Sequence, residues 1–377
     1  MLVQKPKALI FTTIQGHQSI AQAINEHLIN QGFITQLCSK THTLMPIYQK
    51  IYIYVPKVFK IIFDLSNIKS LEKLGREVLK KDYLTVIQQQ VNQFEPHLIL
   101  NTNFAFNSAI TTVAQNQNIP FINITANPRT FSNFEISNSA TTNCVFDQTM
   151  QNLVKKTKPQ AHTTITGWFV RKQFEQAYQF KKIRQKLNLD PQKLTLLFVT
   201  GSEGTQAVLK TLKPLAQLHQ PVQILVACGK NQRLLTQVQQ LKKHLNEQNK
   251  LTTDSNLTQS RAVITPFAFT KKLHLYMQAA DLVIGKAGPN TLFESVATLT
   301  PFFASTHVAG QEDGNLKIIQ DYNLGYVEEN PLRSVRLLKK IIADPQQLQE
   351  FQSSLKKMAQ YNCQAKSKLL QVIKNAL

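Results

Sequence analysis

Apolar runs of strand length alternate with helical-period segments from one end of the chain to the other. This alternation constrains the fold more than any other feature, because parallel strands need a crossover between them and the usual crossover is a helix. The runs 8–12, 33–37, 98–101 and 121–124 read as strands of a first domain. After a basic connecting segment the pattern restarts with 194–200, 222–227, 262–264, 282–284, 302–304 and 325–327. The reading is α/β, with two doubly wound domains joined somewhere within 171–191. The length of 377 residues agrees with it, at about 150 residues per domain. The expected boundaries are 1–180, 181–360, and a C-terminal helix over 361–377 that packs back on the first domain. Two regions interrupt the alternation: 44–82, rich in Tyr, Phe, Ile and Lys, and 129–144, polar and turn-rich.

Charge narrows the partners. Lys and Arg number 43 against 22 Asp and Glu, a net charge of +21, so the surface attracts polyanions or an anionic lipid leaflet. No zinc-finger spacing, helix-turn-helix or RNA-binding aromatic signature accompanies the charge, and nucleic acid is not expected as a partner. Cys38, Cys144, Cys228 and Cys363 are widely spaced and form no Cys-x-x-Cys pair, which argues against structural zinc or a disulfide framework and points to a reducing cytosol. The opening apolar run Ala8-Leu9-Ile10-Phe11 is too short for a signal-peptide core, and no stretch reaches the roughly 18 apolar residues of a membrane span. Membrane contact is therefore expected to be peripheral, on the inner face.

The segment that carries most chemistry is Ala280-Asp281-Leu282-Val283-Ile284-Gly285-Lys286-Ala287-Gly288-Pro289-Asn290-Thr291-Leu292-Phe293-Glu294. It reads strand, small-residue turn, then a helix with Pro289 in its first turn, where a missing N–H costs nothing. A helix start opened by Gly288 brings backbone N–H groups and a positive dipole end against a diphosphate. Glu294, about a turn further on, can accept hydrogen bonds from adjacent ribose hydroxyls; the alternative is an ordinary turn with a solvated Glu. About twenty residues later comes His307-Val308-Ala309-Gly310-Gln311-Glu312-Asp313-Gly314-Asn315. It follows the next strand at the same carboxyl edge, where doubly wound sheets bind ligands. Gln311 and Glu312 suit sugar hydroxyls; otherwise this is a polar loop before a helix.

These two strings resemble the UDP-sugar glycosyltransferases of the monogalactosyldiacylglycerol synthase, diacylglycerol glucosyltransferase and peptidoglycan N-acetylglucosaminyltransferase type, the family 28-like enzymes. The likeness extends through Thr166-Gly167-Trp168-Phe169-Val170-Arg171, Val199-Thr200-Gly201-Ser202-Glu203-Gly204, Ala227-Cys228-Gly229-Lys230-Asn231 and Ile264-Thr265-Pro266-Phe267-Ala268-Phe269. It implies the GT-B fold, two facing Rossmann-like domains, the first for the acceptor and the second for the donor. It also implies that the turn of Gly201, Ser202, Glu203 and Gly204 approaches the phosphates or lets the interdomain cleft close, that Gly229 and Lys230 lie beside the nucleotide, and that Phe267 and Phe269 wall the uracil. Ala287, Gly288, Pro289 and Thr291 then meet the diphosphate, Glu294 the ribose, and Gln311 and Glu312 the sugar.

In the first domain, Thr12-Thr13-Ile14-Gln15-Gly16-His17 leaves strand one and opens a helix. Similar family members carry a longer glycine cluster here; in this chain only Gly16 remains. His17 keeps its place, and a neutral His at a cleft edge can take the proton of an attacking hydroxyl or cap its helix. Where related galactolipid synthases have a Thr-Asp pair, this chain has Thr125-Ala126, so that His17 does the work alone, another carboxylate such as Glu135 substitutes, or activity is reduced.

The resemblance implies an inverting single displacement of a hexose from a UDP-sugar, a co-substrate rather than a cofactor, to a lipid acceptor such as diacylglycerol. No Asp-x-Asp metal motif stands in a suitable loop, so no metal is expected. The acceptor side is read from 45–63, where Tyr48, Lys50, Tyr52, Tyr54, Lys57, Phe59 and Lys60 interleave aromatic and basic groups as a headgroup boundary requires; a buried hairpin with solvated lysines is the alternative. Two other outcomes of the same architecture stay open. One is an enzyme with a non-lipid acceptor, or a nucleotide-sugar epimerase; the other is a non-catalytic nucleotide-sugar-binding protein.

Overall fold

The computed structural model describes residues 5–14, 16–40, 60–61, 63–65, 68–176, 180–201, 208–218, 220–250 and 262–377. In chain order the first half runs β1 (Lys7–Thr12), α1 (Gly16–Asn30), β2 (Ile34–Ser39), α2 (Lys69–Phe94), β3 (Leu98–Asn101), α3 (Asn107–Gln117), β4 (Phe121–Ile124), β5 (Thr142–Val145), α4 (Gln148–Thr157) and β6 (Thr163–Ile165). It continues with α5 (Lys172–Glu175), α6 (Phe180–Lys186), β7 (Leu194–Val199), α7 (Val208–Ala216), β8 (Val222–Ala227), α8 (Gln232–Lys250), β9 (Val263–Phe267), α9 (Leu273–Ala279) and β10 (Leu282–Lys286). Then follow α10 (Pro289–Ala297), β11 (Phe302–Thr306), α11 (Asp313–Asp321), β12 (Gly325–Val327), α12 (Pro331–Ala343), α13 (Gln352–Cys363) and α14 (Ala365–Ala376).

Two compact units result. The first comprises Met1–Lys172, Val308–Asn315 and Gln360–Leu377; the second comprises Gln173–His307 and Leu316–Ala359. Each holds one six-stranded sheet, in the orders β2-β1-β3-β4-β5-β6 and β12-β11-β10-β7-β8-β9. Every pairing is parallel. The central strands are buried along their whole length, as in Leu-Ile-Leu-Asn of β3 and Leu-Thr-Leu-Leu-Phe-Val of β7. That is why they read as continuous apolar runs rather than alternating ones: helices cover both faces of a parallel sheet.

In the first unit α2 lays Tyr83, Ile87 and Val91, one helical turn apart, into a core with Leu9, Phe11, Phe106, Ile110 and Phe121. The expected interruption at 44–82 therefore ends at a regular helix of 26 residues. Its other part, 44–59, lies outside the described residues. A second departure is the polar stretch 129–144, which delivers β5, and β6 follows α4. In the second unit Gly285 of β10 lies so close to β7 that a Cβ there would sit 2.7 Å from the Val199 carbonyl oxygen, so a side chain would push the two strands apart. Just beyond, the register of β10 against β11 shifts between Gly285 and Lys286, the local bend by which an irregular strand end re-aims the chain. Among the described residues no helix is long and apolar enough to cross a membrane. All four cysteines are free thiols.

Candidate active site

In both sheets the strand order reverses at one point, and in open α/β sheets ligands bind outside the carboxyl ends of the strands at that point. In the first sheet the reversal lies between β1 and β3. His17, in the first turn of α1, follows β1; Thr102 follows β3. The His17 Nδ1 is 2.6 Å from the Thr102 carbonyl oxygen, so the bond spans the reversal. A carbonyl only accepts, hence Nδ1 carries the proton and Nε2 keeps its lone pair. Burial lowers the pKa of His17 below the usual 6.5, and the bond to Thr102 offsets this only in part. The ring is thus a neutral, oriented base at physiological pH. It does not cap α1, since its bound nitrogen donates to Thr102 instead of accepting from the helix. Thr102 is itself fixed, its hydroxyl 2.9 Å from that of Thr12 and its N–H on the Phe11 carbonyl.

Beside this lies a buried row of asparagines. Asn101, Asn123 and Asn143 occupy paired positions on β3, β4 and β5. The Asn123 amide donates to Asn143 Oδ1 at 2.8 Å and to the Glu135 carbonyl, and that of Asn143 donates to the carbonyls of Ser137 and His162. A buried amide is tolerated only when so satisfied, and here the row ties the loop after β4 to the sheet. That loop carries Ala126, which offers no carboxylate, and Glu135, which is 4% exposed. One carboxyl oxygen of Glu135 accepts from the Asn127 amide, while the other is buried with no partner. Burial pushes its pKa up to about 8. At neutral pH Glu135 holds its proton, so it is a poor substitute for a missing base.

In the second sheet the reversal lies between β7 and β10, and the turns leaving those strands contain Gly201 and Ala287-Gly288-Pro289. Gly201 is exposed with a left-handed backbone, φ +81°; Ser202, Glu203 and Gly204 lie outside the described residues. Gly288 precedes α10 in extended conformation with no side chain capping the helix start, and Pro289 opens it. A helix start of this kind, whose first turn includes Thr291, favours a ligand anion. Glu294 is buried on α10. The turn after β8 has Gly229 at φ +60°, and the Lys230 ammonium stands 5.9 Å from the centre of the Phe269 ring beyond β9. Phe269 is 56% exposed. Phe267 has one ring face taken by Tyr276, stacked at 4.2 Å, and is the less exposed of the two rings.

The segment Val308–Asn315 groups with the first unit. Glu312 is buried, and one oxygen of its carboxylate, Oε2, accepts the Val308 N–H at 2.7 Å and braces the loop. Gln311, next to it, is partly exposed. Lys60 is exposed and pairs with Asp313 at 3.2 Å. Tyr48, Lys50, Tyr52, Tyr54, Lys57 and Phe59 lie outside the described residues. Among the described residues no group of three or more His, Cys, Asp or Glu side chains has the arrangement of a metal site. Sequence reasoning passed over Thr102 and Tyr276. Thr102 had a readable signal, as a polar residue directly after a buried strand next to β1, whereas Tyr276 sits in an unremarkable helical pattern.

Two parallel six-stranded α/β sheets, each with its turns of interest at the reversal point, define the GT-B architecture of nucleotide-sugar enzymes. Over 98% of its length the chain superposes on 99% of the MurG chain of Acinetobacter baumannii, with a TM-score of 0.65 and 17% identity. Residues 195–374 match the glycosyltransferase family 28 C-terminal domain. Residues 195–374 thus carry a glycosyltransferase family 28 C-terminal domain, and the chain as a whole has the fold of MurG. It is 27% identical over 215 residues to a processive diacylglycerol beta-glucosyltransferase of Bacillus licheniformis, an alignment that spans 56% of this chain and 51% of that protein. A probable chloroplastic monogalactosyldiacylglycerol synthase 3 of Oryza sativa subsp. japonica aligns over 93% of the chain and 71% of its own length, at 23% identity.

Proposed function

We propose that the protein transfers a hexose from a UDP-sugar to a membrane-borne alcohol such as diacylglycerol, with inversion at the anomeric carbon. The observation that carries this reading is His17, neutral and held in one tautomer at the reversal of the first sheet. The acceptor hydroxyl attacks the anomeric carbon, its proton passes to His17 Nε2, and UDP leaves. The Thr102 carbonyl, on Nδ1–H, stabilises the imidazolium that forms, in the manner of a base oriented by a third group. The leaving diphosphate meets the start of α10, where backbone N–H groups and the helix dipole favour negative charge; Lys230 and Phe269 serve the nucleotide.

The lipid acceptor has support in an exposed apolar stripe. Ile61, Leu65, Ile68, Leu71, Leu74 and Val78 are all exposed, and their spacing of three or four residues places Leu71, Leu74 and Val78 on the side of α2 away from Tyr83, Ile87 and Val91. Exposed Lys60 and Lys73 flank them. Apolar side chains bordered by lysines fit an anionic lipid surface, and the relatives are named as a diacylglycerol glucosyltransferase and a monogalactosyldiacylglycerol synthase. Incubation with UDP-glucose or UDP-galactose, with and without vesicles containing diacylglycerol, tests the reading. Glycolipid product and vesicle-dependent UDP release are expected. UDP release that ignores the lipid, with no glycolipid, contradicts the lipid acceptor.

A further inference from the structure

Resting on the transferase reading, we propose that Arg129 and Thr130, in the loop after β4, form the seat that positions the segment 308–315 for the donor sugar, and that Gly314 makes the contact. Gly314 lies in the first turn of α11, where a backbone N–H has no acceptor within its own helix. That N–H donates to the Thr130 hydroxyl at 3.0 Å, across 184 residues of sequence. A Cβ on Gly314 would sit 2.6 Å from the carbonyl carbon of Arg129 and 2.7 Å from its oxygen, so only glycine allows this approach.

The seat cannot yield easily. Arg129 Nε is 2.6 Å from Asp147 Oδ2, with both side chains almost fully buried. The other oxygen of Asp147 takes the Met150 N–H at 2.9 Å and so caps α4. The Arg129 backbone is thereby fastened to a helix start. The seated segment is also braced from within, by the Val308 N–H on Glu312 and the Gly310 N–H on Asp313 Oδ1, each at 2.7 Å. A braced segment on a fixed seat moves as one piece, so a change at the contact displaces Gln311 and Glu312 together without unravelling the loop. Arg129 and Thr130 are positioning residues: they act on the sugar through Gln311 and do not touch the reacting atoms.

Thr130→Val, Thr130→Ser and Gly314→Ala separate this role from mere folding. Affinities for UDP and for intact UDP-hexose are measured by calorimetry, alongside kcat, KM and the thermal midpoint. In Thr130→Val and Gly314→Ala, UDP affinity is expected to stay within about twofold of wild type. UDP-hexose affinity and kcat/KM fall about tenfold or more, as for loss of one hydrogen bond or a misplaced sugar contact. Thr130→Ser, which keeps the hydroxyl, restores both. Unchanged UDP-hexose affinity, equal losses for UDP and UDP-hexose, or a fall in thermal midpoint that accounts for the lost activity would each overturn the proposal. The binding difference is read without turnover, so a wild-type protein that binds UDP-hexose but transfers nothing to lipid sinks the transferase reading and leaves the seat testable.

Discussion

His17 and Glu135 show how the same burial gives two side chains opposite tasks. Desolvation disfavours charge on both, which makes the histidine a free base and the glutamic acid a neutral acid. The consequence for Glu135 is visible in stability. The unfolded chain ionises this group near 4.5, the folded chain only near 8, so between those values the folded state holds a proton that the unfolded state has released. Stability then falls as pH rises. Glutamine is neutral throughout, and the thermal midpoint of Glu135→Gln is expected to gain steadily on wild type between pH 5 and 8. Parallel curves for the two proteins would show Glu135 ionised in the fold. The sequence displayed His17 because a glycine and a helix start frame it. It could not display the protonation of Glu135, which depends on a loop tied down by Asn123 and Asn143 from two other strands.

At the scale of elements, the strands easiest to read were those buried on both faces, such as β3, β7 and β8, because burial writes an apolar run. β5 and β6 were missed for the converse reason. Thr-Asn-Cys-Val and Thr-Thr-Ile are short and polar, and Asn143 is at home in a strand only through partners that sequence does not reveal. α2 was misjudged at its first turns, since its exposed leucines look like irregularity until the helix is seen to bury its other side. Those leucines carry a prediction. If the stripe meets lipid, Leu74, 64% exposed, contributes about 2 kcal/mol of burial, so Leu74→Asp weakens sedimentation with anionic vesicles roughly thirtyfold or more while the thermal midpoint is unchanged. Undiminished vesicle binding would remove α2 from the membrane face.

For the whole molecule, the doubly wound sheets in each unit were legible from alternation alone, and the glycine turns after successive strands from their small residues. The strand orders were not legible, because pairing partners leave no mark in a single sequence. They matter most, since the order puts the reversal points at β1/β3 and β7/β10 and so singles out His17 and the start of α10 among many polar turns. Division of labour between the units is the central claim: the base belongs to the first sheet, the nucleotide to the second. Turnover and UDP-hexose affinity of His17→Ala test it most directly. The account predicts a kcat lowered about 10²–10⁴-fold, the range for loss of a general base, with UDP-hexose affinity within about twofold of wild type. Near-normal kcat, or a loss of donor affinity that matches the loss of activity, would contradict it.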